Sequence, residues 1–295
     1  MNGFLNILKP PGMTSAAVVA VLRRLTGEKR VGHAGTLDPE AAGVLPVMIG
    51  RATRLFDYLV DKEKTYVAEV AFGAATDTED ATGTVTETGE NYPTLPEAQA
   101  AAEKLTGEIE QRPSMFSAIK KDGKPLYVLA HQGKSVEVPV RRVRVESIRL
   151  SAVTPNHGML MTVRCGRGTY IRSLCADLGR LTGCPAHMRF LLRAQSGAFG
   201  LDTAITLEEA AEYAAQGTLA EHLLPLDMPL GHIPAVVMPD NLLKKVENGV
   251  RLPLCGREDI PEGTAVRVYC GNRFYGMALR ETDGFSWRAV IPPEE

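Results

Sequence analysis

The chain has 295 residues, of which 44% are hydrophobic and 23% charged, with a formal net charge of -2 at pH 7. This is the composition of a globular protein with one large domain and room for a small one, and it excludes a globally basic chain. Nucleic acid is still open as a partner, because phosphates are met by local Lys/Arg clusters rather than by net charge.

Five cysteines, Cys165, Cys175, Cys184, Cys255 and Cys270, include no Cys-x-x-Cys pair. The pattern argues against a disulfide framework or a zinc cluster and for thiols kept in a reducing compartment. The apolar N-terminal stretch stops at Pro10-Pro11, too short for an export signal. No apolar run reaches the roughly 18 residues of a membrane helix. A cytoplasmic protein is expected.

Taken in chain order, residues 3–8 read as a strand ending at Lys9-Pro10-Pro11-Gly12. Thr14 or Ser15 caps a helix that runs to about Gly27. A Gly-rich loop, 31–39, leads to the apolar run Val44–Ile49. Arg51 to Asp61 reads as an amphipathic helix with Leu55, Phe56 and Leu59 on its apolar side. Residues 65–73 alternate as a strand, with Tyr66, Ala68, Val70 and Phe72 on one face.

Thr76-Asp77-Thr78-Glu79-Asp80 is an acidic loop without the spacing of a calcium-binding loop. Thr94 and Glu97 form a capping box for a helix to about Leu105. Residues 107–145, basic and broken by Gly and Pro, look like an excursion with a short helix near 125–130. Val143–Val153 and Met159–Cys165 pair as strands, and helices follow at Tyr170–Leu181 and Thr206–Ala215. From about Gly231 a helix, Pro239–Glu247, precedes strands at Ala265–Cys270, Phe274–Leu279 and Phe285–Ile291, the spacing of a small appended β domain. The chain is therefore α+β.

Asp38 is the sharpest candidate for chemistry. It ends a loop of small residues, yet with Pro39 and Glu40 it also reads as an ordinary helix start. His33 suits an RNA or base contact, a loop anchor or a surface position. Tyr66 suits a core or rim aromatic. Tyr170 and Arg172 follow a glycine turn, where an arginine can pair with a carboxylate. Basic clusters lie at Glu28-Lys29-Arg30, at Lys120-Lys121 with Lys124, and at Arg141-Arg142-Val143-Arg144.

Five ordered motifs are more specific than any of these alone. They are Lys9-Pro10-Pro11-Gly12-Met13-Thr14-Ser15, Gly32-His33-Ala34-Gly35-Thr36-Leu37-Asp38-Pro39, Lys64-Thr65-Tyr66, Pro113-Ser114-Met115-Phe116-Ser117-Ala118 and Gly168-Thr169-Tyr170-Ile171-Arg172-Ser173-Leu174. The series closely resembles the TruB-type tRNA pseudouridine synthases, which act on uridine-55 of the T loop. The resemblance is strong to about residue 195 and weaker beyond.

It implies a pseudouridine synthase fold, with a mixed, mainly antiparallel sheet flanked by helices. It implies a catalytic domain over 1–230, a thumb-like insertion at about 115–141, and a PUA-like RNA-binding domain over 231–295. By the same resemblance Asp38 is the catalytic aspartate, His33 contacts the RNA, and Tyr66 stacks on the target base. Tyr170 is a second substrate contact, Arg172 pairs with Asp38, and Leu191 lines the pocket.

The implied reaction breaks the bond from uracil N1 to ribose C1′, turns the base and joins C1′ to C5. Nothing is oxidised or added, so no cofactor and no metal are expected, and the sequence carries no cofactor motif. A carboxylate could attack C1′, take the 2′ proton, or add to the base at C6. The expected partner is tRNA, through its T arm, with no membrane or protein partner and the chain acting as a monomer. Two other readings remain, an RNA-binding module with an idle site and a glycoside hydrolase. The latter would want a second carboxylate, which no motif supplies.

Overall fold

The computed structural model describes residues 1–60, 62–117, 119–121, 123–134 and 136–292. Asp61, the expected end of one helix, and Ala118, the last residue of the fourth motif, lie outside them. In chain order the elements are β1 (Gly3–Lys9), α1 (Ser15–Thr26), β2 (Val31–His33), β3 (Ala42–Ile49), β4 (Lys64–Phe72), β5 (Ala74–Thr76) and β6 (Val85–Thr88). Next come α2 (Leu95–Glu103), β7 (Gly107–Gln111), β8 (Lys120–Lys121), β9 (Lys124–Pro125), α3 (Leu126–His131), β10 (Arg141–Thr154), β11 (Gly158–Cys165) and α4 (Ile171–Thr182). The chain closes with β12 (Ala186–Ser196), β13 (Phe199–Gly200), α5 (Leu207–Gln216), β14 (Ala235–Met238), α6 (Leu243–Glu247), β15 (Ala265–Cys270), β16 (Arg273–Glu281) and β17 (Gly284–Val290).

A nine-stranded sheet in the order β1-β3-β12-β4-β11-β10-β7, with β2 on β3 and β13 on β12, organises the main body. Its pairings are antiparallel except β12 with β3, so it is mixed and mainly antiparallel, as the resemblance implied. Helices α2 and α4 cover Ala68, Val70 and Phe72 of β4. On the flank built by β1 and β3, alternate residues part company. Leu5, Ile7, Leu45 and Val47 meet α1 and α5, while Phe4, Val44 and Met48 face the opposite way. A second sheet, β14-β15-β16-β17, forms the small C-terminal β domain around Val236, Val266, Val268 and Phe285.

Local sequence explains most element ends. The Thr14 side chain accepts from the Ala17 amide, and Gly27 closes α1 in the left-handed region at φ 67°. Capping boxes open α2 at Thr94/Glu97 and α5 at Thr206/Glu209. The excursion is shorter than 107–145, because β7 and β10 are sheet strands at its two ends. The chain leaves the sheet at Gln111 and returns at Arg141, which face each other across the ladder.

Four expectations need correction. Residues 50–58 form a 3-10 helix rather than an α-helix. Three residues per turn put Ala52, Leu55 and Tyr58 in one row on the core and turn Phe56 outward. Asp38 starts no helix: it opens a turn closed by Ala41 N–H to Asp38 C=O at 3.1 Å, and β3 follows. The stretch 239–247 splits into a 3-10 turn, Asp240–Leu242, and the short α6. The Gly-rich segment begins as β2 before it loops.

The central strand β12 was not foreseen. Register shifts between Met188 and Phe190 and between Arg193 and Gln195 reset its phase, so no two-residue alternation survives in the sequence. Strand β14 is only four residues long and carries equally little signal.

Strands β3 and β12 approach closely where Gly43 sits opposite Arg193. Gly43 has φ 116°, and a Cβ there would overlap the Arg193 main chain, with its nitrogen at 2.6 Å. Gly43→Ala should therefore destabilise the fold by about 3 kcal/mol, read as a lowered urea midpoint; a loss below about 0.5 kcal/mol would show that the strands can move apart freely.

Candidate active site

The turn at Asp38 is held from three sides. Lys9, fully buried at the end of β1, gives its ammonium to the carbonyls of Pro10 (2.8 Å), Met13 (2.5 Å) and Pro39 (2.9 Å). Ser15, at the start of α1, accepts from the Leu37 amide at 3.0 Å. Arg193, 1% exposed on β12, donates Nε to Val44 O at 2.8 Å, Nη1 to Thr36 O at 3.3 Å and Nη2 to Gly35 O at 3.1 Å. Buried cations are costly unless their donors are satisfied, and here backbone carbonyls do this without spending a carboxylate.

The carboxylate of Asp38 meets Arg172 from the first turn of α4, with Oδ2 3.0 Å from Nε; the side chains are 42% and 6% exposed. The same guanidinium donates Nη1 to Thr78 O at 3.1 Å and Nη2 to Phe116 O at 3.0 Å, and its Nη1 lies 3.5 Å from Asp80 Oδ2. Beneath it the Ser173 hydroxyl donates to Glu79 at 2.7 Å. Burial raises the Glu79 carboxyl above the ordinary 4.5, with the Ser173 hydrogen bond and the Arg172 charge pulling it back down.

All six residues expected at the site, His33, Asp38, Tyr66, Tyr170, Arg172 and Leu191, line one open cleft of ≈ 380 Å³. Among the described residues the cleft is lined by four cationic residues, Lys64, Arg167, Arg172 and Arg193, and a single carboxylate, Asp38. Tyr66 comes from β4 and stands beside Arg193; burial pushes its hydroxyl above the ordinary 10.0 and the guanidinium partly offsets this. Tyr170, at the N-cap of α4, also packs against the small core of the insertion built by Ile119, Leu126 and Val138, and burial raises its hydroxyl too. Its backbone amide is received by Gln111 at 3.0 Å.

Lys9, Lys64, Asp80 and Arg193 escaped the sequence reading as site residues. Lys9 carries a faint signal, a cation ending an apolar strand just before Pro-Pro. Asp80 was visible as part of an acidic loop. Arg193 had none, because the phase of β12 was hidden.

Residues 23–171 match the family model described as TruB family pseudouridylate synthase (N terminal domain), and 172–231 match tRNA pseudouridylate synthase B C-terminal domain. The chain belongs to the TruB family of pseudouridylate synthases. Among curated TruB relatives, tRNA pseudouridine synthase B of Bacillus velezensis is 46% identical over 255 residues, 84% of this chain and 82% of the relative. The enzyme of the same name from Bacillus pumilus is 45% identical, covering 86% of this chain and 84% of the relative. The fold extends to a solved H/ACA RNP bound to a substrate RNA containing 2′-deoxyuridine, at TM-score 0.74 and 25% identity, covering 98% of this chain and 85% of that one.

In this TruB-family cleft, His33 Nδ1 is buried and has no hydrogen-bond partner among the described residues. Burial first, and the Arg193 charge second, hold the imidazole below its ordinary 6.5. The folded chain thus resists a proton that the unfolded chain accepts. His33's contribution to stability is complete above pH 6.5 and is lost as pH falls through the lower folded value. His33→Gln should flatten the acid-side fall in the urea midpoint; an unchanged slope below pH 6.5 would remove this assignment.

Proposed function

We propose that the chain isomerises uridine-55 in the T loop of tRNA to pseudouridine, with Asp38 as the catalytic carboxylate acting on a flipped-out base. The observation that carries this reading is the convergence of Asp38, Tyr66 and Tyr170 with Arg172, from three separate segments, on one cleft with a single carboxylate among the described residues. A hydrolase working through two carboxylates finds no second one in that lining among the described residues.

In this reading the uridine leaves its stack at a cost of a few kcal/mol. Tyr66 offers an aromatic face that recovers part of it. Arg172 holds Asp38 at the sugar, where the carboxylate serves the cleavage of the N1–C1′ bond. Once C1′ has joined C5, the C5 hydrogen leaves as a proton to an acceptor, a water or the Tyr66 oxygen after that hydroxyl has given up its own proton. His33, Tyr170 and Leu191 complete the substrate contacts.

The excess of cations along the cleft suits a phosphate-bearing substrate. The segment about 115–141 would act as a thumb against the T arm, and 231–295 as a PUA-like RNA-binding domain after a catalytic domain over 1–230. The same reading makes the chain a cytoplasmic monomer.

The test uses an unmodified tRNA transcript tritiated at uracil C5. Isomerisation releases tritium and leaves the strand whole, a binding module releases none, and a hydrolase frees the base. Asp38→Asn should lower tritium release at least about 1000-fold with tRNA still bound; near-normal turnover would remove Asp38 from the reaction. Tyr66→Phe should retain binding and slow turnover at least about 100-fold, whereas an unchanged rate confines Tyr66 to stacking.

A further inference from the structure

Phe56 is 41% exposed, yet it lines the same cleft as Asp38. Its helix explains the exposure. The row Ala52–Leu55–Tyr58 occupies the core contact, and the 3-10 twist leaves Phe56 a third of a turn away from it. Among the described residues Phe56 joins none of the buried apolar clusters. The other two aromatics of the cleft, Tyr66 and Tyr170, are half-buried and packed against those clusters. One aromatic ring is thus presented to solvent at the rim of the cleft.

We propose that Phe56 is a stacking subsite for an unpaired nucleobase of the RNA, the one next to the flipped uridine. The inference rests on the reading of the cleft as an RNA-modifying site. Extruding one base leaves its neighbour with an uncovered face, and an exposed ring at the mouth of the cleft can cover it. Stacking of this kind accepts any base and prefers large ones, so it adds affinity without base identity. The charge of the cleft agrees, since Lys64, Arg167, Arg172 and Arg193 draw a polyanionic strand to the place where the ring stands. A protein surface docking at Phe56 would meet the same four cations.

The experiment is a cycle between protein and RNA, measured as binding to unmodified tRNA transcripts. Phe56→Ala removes an exposed ring and leaves the buried row of its helix in place. It should weaken Kd about tenfold. An abasic nucleotide placed immediately 5′ or 3′ of the target uridine should, on one of the two sides, weaken wild-type binding by the same factor and weaken the Phe56→Ala variant no further. Phe56→Trp should keep or improve the wild-type affinity, while Phe56→Leu should behave like Phe56→Ala.

Equal Kd for wild type and Phe56→Ala would overturn the proposal. So would losses that add on both sides of the uridine, full retention in Phe56→Leu, or a change of oligomeric state as the variant's one effect. Because the cycle reads binding, it stands apart from turnover: a wild-type chain that binds the transcript and releases no tritium ends the proposed function, not the stacking subsite.

Discussion

The guanidinium of Arg172 is the point on which the site depends. It is nearly sealed from water, and its donors are divided among the Asp38 turn, the loop at 78–80 and the segment at Phe116. A charge taken out of water is tolerated only where its hydrogen bonds are complete, so these partners must arrive together. Three stretches far apart in sequence are in this way locked to one turn of α4. The planar fork of arginine is what permits it; a lysine ammonium has three donors and no plane. Removing Asp38 from the fork would leave Asp80 and two carbonyls still in place, which separates the integrity of the pocket from the carboxylate that faces the cleft.

A second layer of cations follows the same logic with different partners. Lys9 and Arg193 are buried and end on carbonyl oxygens of the Asp38 loop and its approach. Backbone carbonyls orient a cation without cancelling its charge as a carboxylate would. The cleft thus keeps a positive field around Asp38. Such a field fits the phosphate-bearing substrate proposed for the cleft.

Much of this was legible in the sequence, for physical reasons that differ by element. Helix α1 announced itself by a threonine cap and a left-handed glycine, both local effects. Strand β4 kept a clean alternation because Ala68, Val70 and Phe72 on one face meet α2 and α4. The six candidate site residues came from the resemblance, five of them inside its ordered motifs, and the structure gathers them in one cleft. What escaped was non-local. The bulges of β12 erase its period, so neither the strand nor the buried Arg193 could be seen. The 3-10 form of 50–58 also left no mark, since Leu55, Phe56 and Leu59 suit an α-helix equally well. Asp38 deceived in the opposite direction: its local surroundings favour a helix cap, and the pull of Lys9 on Pro39 and of Ala41 on the turn decides otherwise.

The two sheets do not own separate interiors. Met277, Ala289 and Ile291 from the C-terminal strands share one apolar cluster with Phe4 of the first strand and with Ala52 and Leu55 of the 3-10 helix. Arg51 and Arg54 of that helix add hydrogen bonds to the carbonyls of Pro292 and Val290. Residues 277–291 therefore complete the packing of the first strand. Without them Phe4 and Leu55 lose part of their cover, and the wall of the cleft that carries the 3-10 helix is unbraced on its outer side.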